Sequence, residues 1–292
     1  MRRKERTSWF AIPVLIVLCT AGCLSSVATP TYSVNTVGSL VLSVPDTTVR
    51  ETLLYRDETL SVSGISFFHI DRDVYALLVT PRAPRAAIVL VPGAGVKKEG
   101  HRVRAEEYAR AGIAVIILDV RGNGGETAGS LLDIEGDYRL FREGSWPQYY
   151  AIVADILAAR RFLDARYGVP VFAIGESNGG RYAAVASAAD DGFAGYIGVS
   201  TSGFGLVGDR YTGEAKQFLL SIDPDHAVGG ISPRPAILLH APDDTIIPYQ
   251  DGYNLFVQAR QPKVFWNLSS GHGLNQEADE RIIGYILNFN GS

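Results

Sequence analysis

The sequence predicts one α/β domain with a mostly parallel central sheet and helices on both of its faces. Two observations predict this class: short apolar runs alternate with segments of helical periodicity, and 47% of the 292 residues are hydrophobic while 20% are charged. Such alternation is typical of βαβ units, and such a composition is typical of globular proteins. A chain of this length can bury one large core, so a second domain is not required.

Eight apolar runs predict strands, and the first two are close enough in sequence to form a hairpin. The runs are 61–68, 74–79, 87–91, 114–119, 171–174, 195–199, 236–240 and 263–268. The segments between the later runs carry apolar residues at i, i+3 and i+4, as over 152–163, where Pro147 predicts the start of a helix. The segment 201–235 predicts a short cap insertion.

The amino terminus predicts an export signal over residues 1–22. Four basic residues in MRRKER precede an apolar run that is shorter than the roughly 20 residues needed to cross a bilayer. The residues before Cys23 resemble a lipoprotein lipobox, which implies that Cys23 is lipidated and that the exported protein is anchored to the outer face of the cytoplasmic membrane. A plain signal peptide and an uncleaved anchor are the alternatives.

Charge and spacing argue against several other partners. Lys and Arg number 27 against 31 Asp and Glu, whereas a nucleic-acid partner requires a basic surface. Lys98 occupies the third-glycine position of a dinucleotide fingerprint, and His101-Arg102 replace the Lys-Ser/Thr of a phosphate-binding loop. The five histidines form no close pair and have no companion cysteines, so the spacing supports no zinc site. We expect no cofactor and no metal.

The segment Gly175-Glu176-Ser177-Asn178-Gly179 predicts a nucleophile elbow. It lies between a predicted strand and a helix of small residues, where a sharp turn would expose the Ser177 hydroxyl. At the amino terminus of that helix, the backbone N–H of Asn178 would donate to a developing oxyanion. A structural turn is the alternative for so common a pattern.

A serine nucleophile needs a base and a carboxylate that orients the base. Asp243 and Asp244 follow the seventh predicted strand, and His272 follows the eighth. Strand ends of this kind meet at one edge of a parallel sheet. We therefore predict Ser177 as nucleophile, His272 as base and one of the two aspartates as the acid.

These motifs resemble the α/β-hydrolase superfamily in its esterase, dienelactone-hydrolase-like and prolyl-oligopeptidase-like branches. The resemblance covers about 48–290 and implies the α/β-hydrolase fold. It implies that Asp244 is the acid and that the N–H of Ala94 is the second oxyanion donor. Beside the elbow, it rests on residues 91–95 (His-Gly-x-x-Gly in the family), 119–124 (D-x-R-G-x-G) and 240–248 (H-G-x-x-D-x-x-V-P).

The resulting organisation is a signal peptide (1–22), a lipidated tether with a first strand (23–47) and the α/β-hydrolase domain (48–292). The expected function is cleavage of small to medium carboxylic esters through an acyl-enzyme. A serine peptidase of the prolyl-oligopeptidase-like branch, acting on short peptides, is the alternative. A catalytically silent binding protein of the same fold is the competing class.

Other polar residues near the motifs have structural interpretations. Asp119 and Arg121 are expected to brace their loop, with contact to substrate as the alternative. Glu176 is expected to make a solvent or supporting contact, with an influence on the site beside Ser177 as the alternative. Lys97, Lys98 and His101 are expected to be solvated, and lining the mouth of the pocket is the alternative. Three cap aromatics predict either an acyl pocket or packing of the cap on the core: Phe204, Tyr211 and Phe218.

Overall fold

The computed structural model describes residues 29–290. The predicted signal peptide and Cys23 lie outside these residues. Over the range 29–290, none of the helices combines the length and the apolar character needed to cross a membrane.

A nine-stranded sheet forms the centre of the fold, and a separate two-stranded sheet precedes it in the chain. The strands are β1 (Thr31–Val34), β2 (Leu40–Ser43), β3 (Arg50–Arg56), β4 (Leu60–His69), β5 (Arg72–Pro81), β6 (Ala86–Val91), β7 (Ile113–Leu118), β8 (Val171–Glu176), β9 (Gly195–Val199), β10 (Ala236–His240) and β11 (Lys263–Asn267). The large sheet has the order β11-β10-β9-β8-β6-β7-β5-β4-β3. Strands β6 to β11 pair in parallel, whereas β3, β4 and β5 are antiparallel. The prediction of a mostly parallel sheet is confirmed.

Helices cover both faces of this sheet. They are α1 (Arg102–Arg110), α2 (Ile134–Arg142), α3 (Gln148–Tyr167), α4 (Asn178–Ala189), α5 (Gly213–Ser221), α6 (Pro224–Ala227), α7 (Tyr249–Gln258) and α8 (Gln276–Leu287). Strand β6 is buried at every position because its side chains alternate between two cores. Val89 packs in the core that contains α3 and α4, and Ile88 packs in the core that contains α1 and α8.

All eight predicted strands form, with ends within two residues of the predicted ones. Strand β3 was not predicted, because all seven of its residues are exposed at the edge of the sheet and therefore show no apolar alternation.

The described part of the tether segment contains two strands, β1 and β2, instead of one. The Asn35 side chain closes their turn by accepting hydrogen bonds from the N–H groups of Val37 and Ser39 at 3.1 and 2.9 Å.

The predicted cap insertion contains α5, α6 and two short 3₁₀ turns between β9 and β10. Phe218 of α5 is fully buried, and its ring centre lies 5.4 Å from that of Phe141. Tyr211 is exposed, and the Phe204 ring packs 4.9 Å from the guanidinium of Arg181. For Phe218, the structure therefore shows packing of the cap on the core.

Candidate active site

Ser177 lies at the sharp turn between β8 and α4, with φ 51° and ψ −125°. This positive φ is strained for a residue with a side chain. Its N–H donates to the carbonyl of Val199 at 2.9 Å, and its carbonyl accepts from the Thr201 hydroxyl at 2.7 Å. The turn is thus fixed by hydrogen bonds to the end of the neighbouring strand and the residues beyond it.

Packing explains both glycines of the elbow. A Cβ at Gly179 would overlap the carbonyl oxygen of Val91, and one at Gly175 would overlap the carbonyl oxygen of Gly179. The backbone of α4 therefore approaches β6 at a distance that only glycine allows. Asn178 is the first residue of α4, so its N–H has no acceptor within the helix and is available to a ligand.

Asp244 and His272 are in direct contact. Nδ1 of His272 lies 2.8 Å from Oδ2 and 3.0 Å from Oδ1 of Asp244. The side chain of Asp244 is 0% exposed and that of His272 is 24% exposed. A carboxylate accepts only, so Nδ1 carries the ring proton and Nε2 has a free lone pair.

The Asp244 carboxylate is held by its own loop. Oδ1 accepts hydrogen bonds from the N–H groups of Ile246 and Ile247 at 2.9 and 3.0 Å. Burial raises the pKa of Asp244, but hydrogen bonds from His272 and from these two N–H groups outweigh burial and lower it. Nε2 of His240 lies 2.9 Å from the Ile247 carbonyl and braces the same loop.

The side chain of Asp243 contacts Gly271 and not the imidazole of His272. It is exposed, and its Oδ1 accepts a hydrogen bond of 2.9 Å from the N–H of Gly271. It therefore holds the start of the loop that carries His272. Of the two neighbouring aspartates, only Asp244 contacts the imidazole.

The loop after β6 passes beside the nucleophile. A Cβ at Gly93 would lie 3.3 Å from Cβ of Ser177, and Ala94, the predicted oxyanion donor, is the next residue and is exposed. Asn123 ties this loop down. Its Nδ2 donates to the carbonyls of Gly93 and Val96 at 2.8 and 3.0 Å, and its Oδ1 accepts from the N–H of Gly95 at 3.3 Å. Sequence reasoning had assigned no role to Asn123.

A family model described as serine aminopeptidase, S33, matches residues 82–208. This match includes Ala94 and Ser177 but ends before Asp244 and His272, and it covers less than half of the chain. None of the curated proteins compared with the chain matches it.

Solved structures resemble most of the chain. The acetyl xylan esterase from Paenibacillus sp. R4 superposes with a TM-score of 0.70 at 17% identity over 83% of this chain and 89% of that one. The glucuronoyl esterase from Solibacter usitatus gives 0.62 at 14% identity over 89% and 88%. A cold-adapted esterase from an Arctic intertidal metagenomic library gives 0.60 at 20% identity over 79% and 94%.

This chain has the α/β-hydrolase fold. The predicted fold class and the resemblance to this superfamily are confirmed, and the matches support a carboxylesterase-like hydrolase. At these low identities the structural likeness shows the fold, while the roles of individual residues depend on the geometry of the site.

Asp119 and Arg121 of the hydrolase brace their loop, as predicted. Asp119 Oδ2 accepts from the N–H of Thr127 at 3.0 Å. Arg121 is buried and donates from Nε to Asp155 at 2.6 Å and from Nη2 to the His69 carbonyl at 3.0 Å.

The prediction that Lys98 and His101 are solvated is wrong. Their side chains are 6% and 5% exposed. The Lys98 ammonium is buried because three carboxylates surround it: Glu99 at 2.9 Å, Asp119 at 3.6 Å and Glu126. His101 packs between Glu176 and Arg104. Over residues 29–290, no group of three or more His, Cys, Asp or Glu side chains is placed to hold a metal ion.

Proposed function

We propose that this α/β-hydrolase is a serine esterase in which Ser177 is the nucleophile, His272 the base and Asp244 the acid. The contact between Asp244 and Nδ1 of His272 carries the proposal. It fixes the tautomer in which Nε2 can accept a proton, and it holds the ring in one orientation. The strained turn at Ser177 supports the role of nucleophile, because such strain is concentrated at functional sites.

In the proposed reaction, Nε2 of His272 takes the hydroxyl proton while Oγ of Ser177 bonds to the ester carbonyl carbon. The N–H groups of Ala94 and Asn178 donate to the resulting oxyanion. The bond to the alkoxide then breaks, the imidazolium protonates the leaving alcohol, and an acyl-enzyme remains. Water, activated by the same His272, attacks the acyl carbon, and the carboxylic acid leaves as Ser177 regains its proton.

The proposed substrates are small to medium carboxylic esters, with short acyl chains preferred. The short cap supports this preference, since Phe218 is used for core packing. Similar structures include an acetyl xylan esterase and a glucuronoyl esterase, so acetylated and uronic-acid carbohydrate esters belong among the substrates to test.

A peptidase is the second candidate, because the matching family model is described as a serine aminopeptidase. The two are separated by comparing p-nitrophenyl acetate through octanoate and acetylated xylan with aminoacyl and dipeptidyl p-nitroanilides. We expect the highest kcat/KM for a short ester and no ester turnover by Ser177→Ala. A p-nitroanilide whose kcat/KM exceeds that of every ester would favour the peptidase.

We also propose that the protein is exported and anchored through a lipid on Cys23. The basic and apolar leader and the small residues before Cys23 support this. A diacylglycerol with an N-acyl chain would hold the protein stably on a membrane, whereas one chain would not. The wild type should fractionate with membranes and carry the corresponding added mass, and Cys23→Ser should lose both. An unmodified mature amino terminus would contradict the lipid anchor.

A further inference from the structure

Glu176, the residue before Ser177, has a carboxylate that contacts two other loops of the site. Its side chain is 11% exposed, and its Oε1 lies 2.9 Å from Nε2 of His101, in the 3₁₀ turn that follows the oxyanion loop. Its Oε2 accepts a hydrogen bond of 2.8 Å from the N–H of Leu274, two residues beyond His272. One carboxylate beside the nucleophile therefore joins the loop of the base to the loop of the oxyanion donor.

The backbone after His272 passes close to the Glu176 carboxylate. Gly273 has a φ of 84°, in the left-handed region that favours glycine. A Cβ at this position would lie 2.8 Å from Oε2 of Glu176, which is closer than van der Waals contact allows. Glycine at 273 is thus required by both the turn and the close approach of Glu176.

Arg104 contacts the remaining polar groups of the same two residues, the carbonyl of Leu274 and Nδ1 of His101. Its Nη2 donates to the Leu274 carbonyl at 2.8 Å, and its Nη1 lies 2.6 Å from Nδ1 of His101. A guanidinium only donates, so Nδ1 accepts and the ring proton of His101 lies on Nε2, the atom that is 2.9 Å from Oε1 of Glu176. Asp279 holds Arg104 in turn, with Oδ1 and Oδ2 at 2.8 and 2.9 Å from Nε.

An ionised carboxylate suits this position and an amide does not. Burial raises the pKa of Glu176, but His101 and the N–H of Leu274 outweigh burial and lower it to about 2. The ionised group accepts a hydrogen bond from the N–H of Leu274 with one oxygen and keeps its other oxygen 2.9 Å from Nε2 of His101. Glutamine has one acceptor oxygen, so it would place its NH₂ group against one of these two N–H groups.

We infer that Glu176 is a positioning residue of the hydrolase. By holding Leu274 it sets where the imidazole of His272 lies relative to the Ser177 hydroxyl, and by holding His101 it orients the turn after the oxyanion loop. This inference rests on the proposed function, because it assigns Glu176 a role only if Ser177 and His272 react as described.

The test compares Glu176→Gln with the wild-type protein in three measurements. These are kcat and KM for p-nitrophenyl acetate, the rate of labelling by a fluorophosphonate, and hydrogen exchange of the peptide spanning 271–275. We expect kcat and the labelling rate to fall about 10- to 100-fold, since small displacements of reacting groups have effects of this size. The KM should change less than about twofold, because the acyl-binding surface is intact, and exchange should accelerate in that peptide without accelerating away from the two loops that Glu176 contacts.

Asp190→Asn is the matched control. Asp190 has a side chain that is 10% exposed and accepts from Arg160 at 3.0 Å and from the N–H of Gly192 at 2.8 Å. It therefore resembles Glu176 in burial and partners but lies at the opposite end of α4. Its variant should keep the wild-type kcat and labelling rate.

A second pair of variants tests the positioning role of Glu176 if Glu176→Gln does not fold. His101→Gln can donate to Glu176 and accept from Arg104 and should keep most of the activity, whereas His101→Leu can do neither and should lower kcat. Equal kcat values in these two variants would overturn the inference.

The outcomes separate this inference from the proposed function. A wild-type protein that neither labels nor cleaves esters would overturn the proposed function. A labelled wild type together with a folded Glu176→Gln variant of unchanged kcat and labelling rate would overturn the positioning role alone. An equal loss in Asp190→Asn would also overturn it, because the effect would then belong to any buried carboxylate.

Discussion

The side-chain amide of Asn123 donates a hydrogen bond of 2.8 Å to the carbonyl oxygen of Gly93. Two further hydrogen bonds join Asn123 to Val96 and Gly95, so one side chain spans the loop that carries Ala94. A donor aimed at an oxyanion is effective only when its direction is fixed before the reaction. In the proposed mechanism, Asn123 therefore pre-organises the loop that carries the proposed donor Ala94.

We predict that Asn123→Ala lowers kcat for p-nitrophenyl acetate about tenfold. The variant would make the Ala94 N–H less firmly oriented, which lowers kcat less than the roughly 100-fold or more that deleting an oxyanion donor costs. The KM should change little. Asn123→Asp should behave similarly, since a carboxylate cannot donate to either carbonyl. Asn288→Ala removes an exposed amide that donates to the Gly284 carbonyl at 2.7 Å and serves as control. Wild-type kcat in both Asn123 variants would refute the role of Asn123.

Replacing Asp244 by Asn should lower kcat about 10³-fold or more, with the fold retained. An amide nitrogen facing Nδ1 of His272 would favour the tautomer with the proton on Nε2, which cannot act as base. Steady-state kinetics of Asp244→Asn and Asp243→Asn check this. The second variant should be mild, because an Asn oxygen still accepts from Gly271. The reverse order of severity would show that the acid is misassigned.

Because of the buried carboxylate of Asp225, we expect the free energy of unfolding to depend on pH. Its Oδ2 accepts from the N–H of Gly205 at 2.7 Å, whereas its Oδ1 is buried without a partner among the described residues. Burial and the neighbouring Asp223 raise the pKa of Asp225 from 3.8 to about 6. The folded state then binds the proton more tightly than the unfolded chain, so this group costs stability progressively as the pH rises from about 4 to about 6.

Asp225→Asn should therefore raise the free energy of unfolding by about 3 kcal/mol at pH 8, and the gain should shrink toward zero below pH 4. Thermal or urea unfolding across this pH range measures it. Asp191→Asn, which changes an exposed aspartate, should give no comparable gain. A gain that is equal at pH 4 and pH 8 would show that titration of Asp225 is not its cause.

Sequence patterns predicted the buried strands and the placement of the candidate catalytic residues after the ends of strands, because both follow from local rules. Parallel strands covered on both faces appear as short apolar runs, as in β6. The residues Ser177, Asp244 and His272 follow strands whose carboxyl ends meet at one edge of the sheet. The exposed edge strand β3 lacks any apolar alternation, so no local pattern could predict it.

The partners of the supporting groups could not be predicted, since these contacts join residues far apart in the sequence. Glu176 meets Leu274 across 98 positions, and Lys98 is buried because Glu126 and Asp119 come to it from another loop. Asn123 offered a weak signal by its place in a glycine-rich loop after a strand. Nothing in the sequence indicated that its amide would reach Gly93.

The most direct test of the central claim is the site at which a fluorophosphonate reacts with the purified protein. Only an activated serine reacts quickly with such a probe, because reaction requires both the base and the oxyanion donors. Intact mass and peptide mapping should show a single adduct on Ser177, none in Ser177→Ala and much slower labelling in His272→Ala. An adduct on another residue, or ester hydrolysis that persists in Ser177→Ala, would contradict the account.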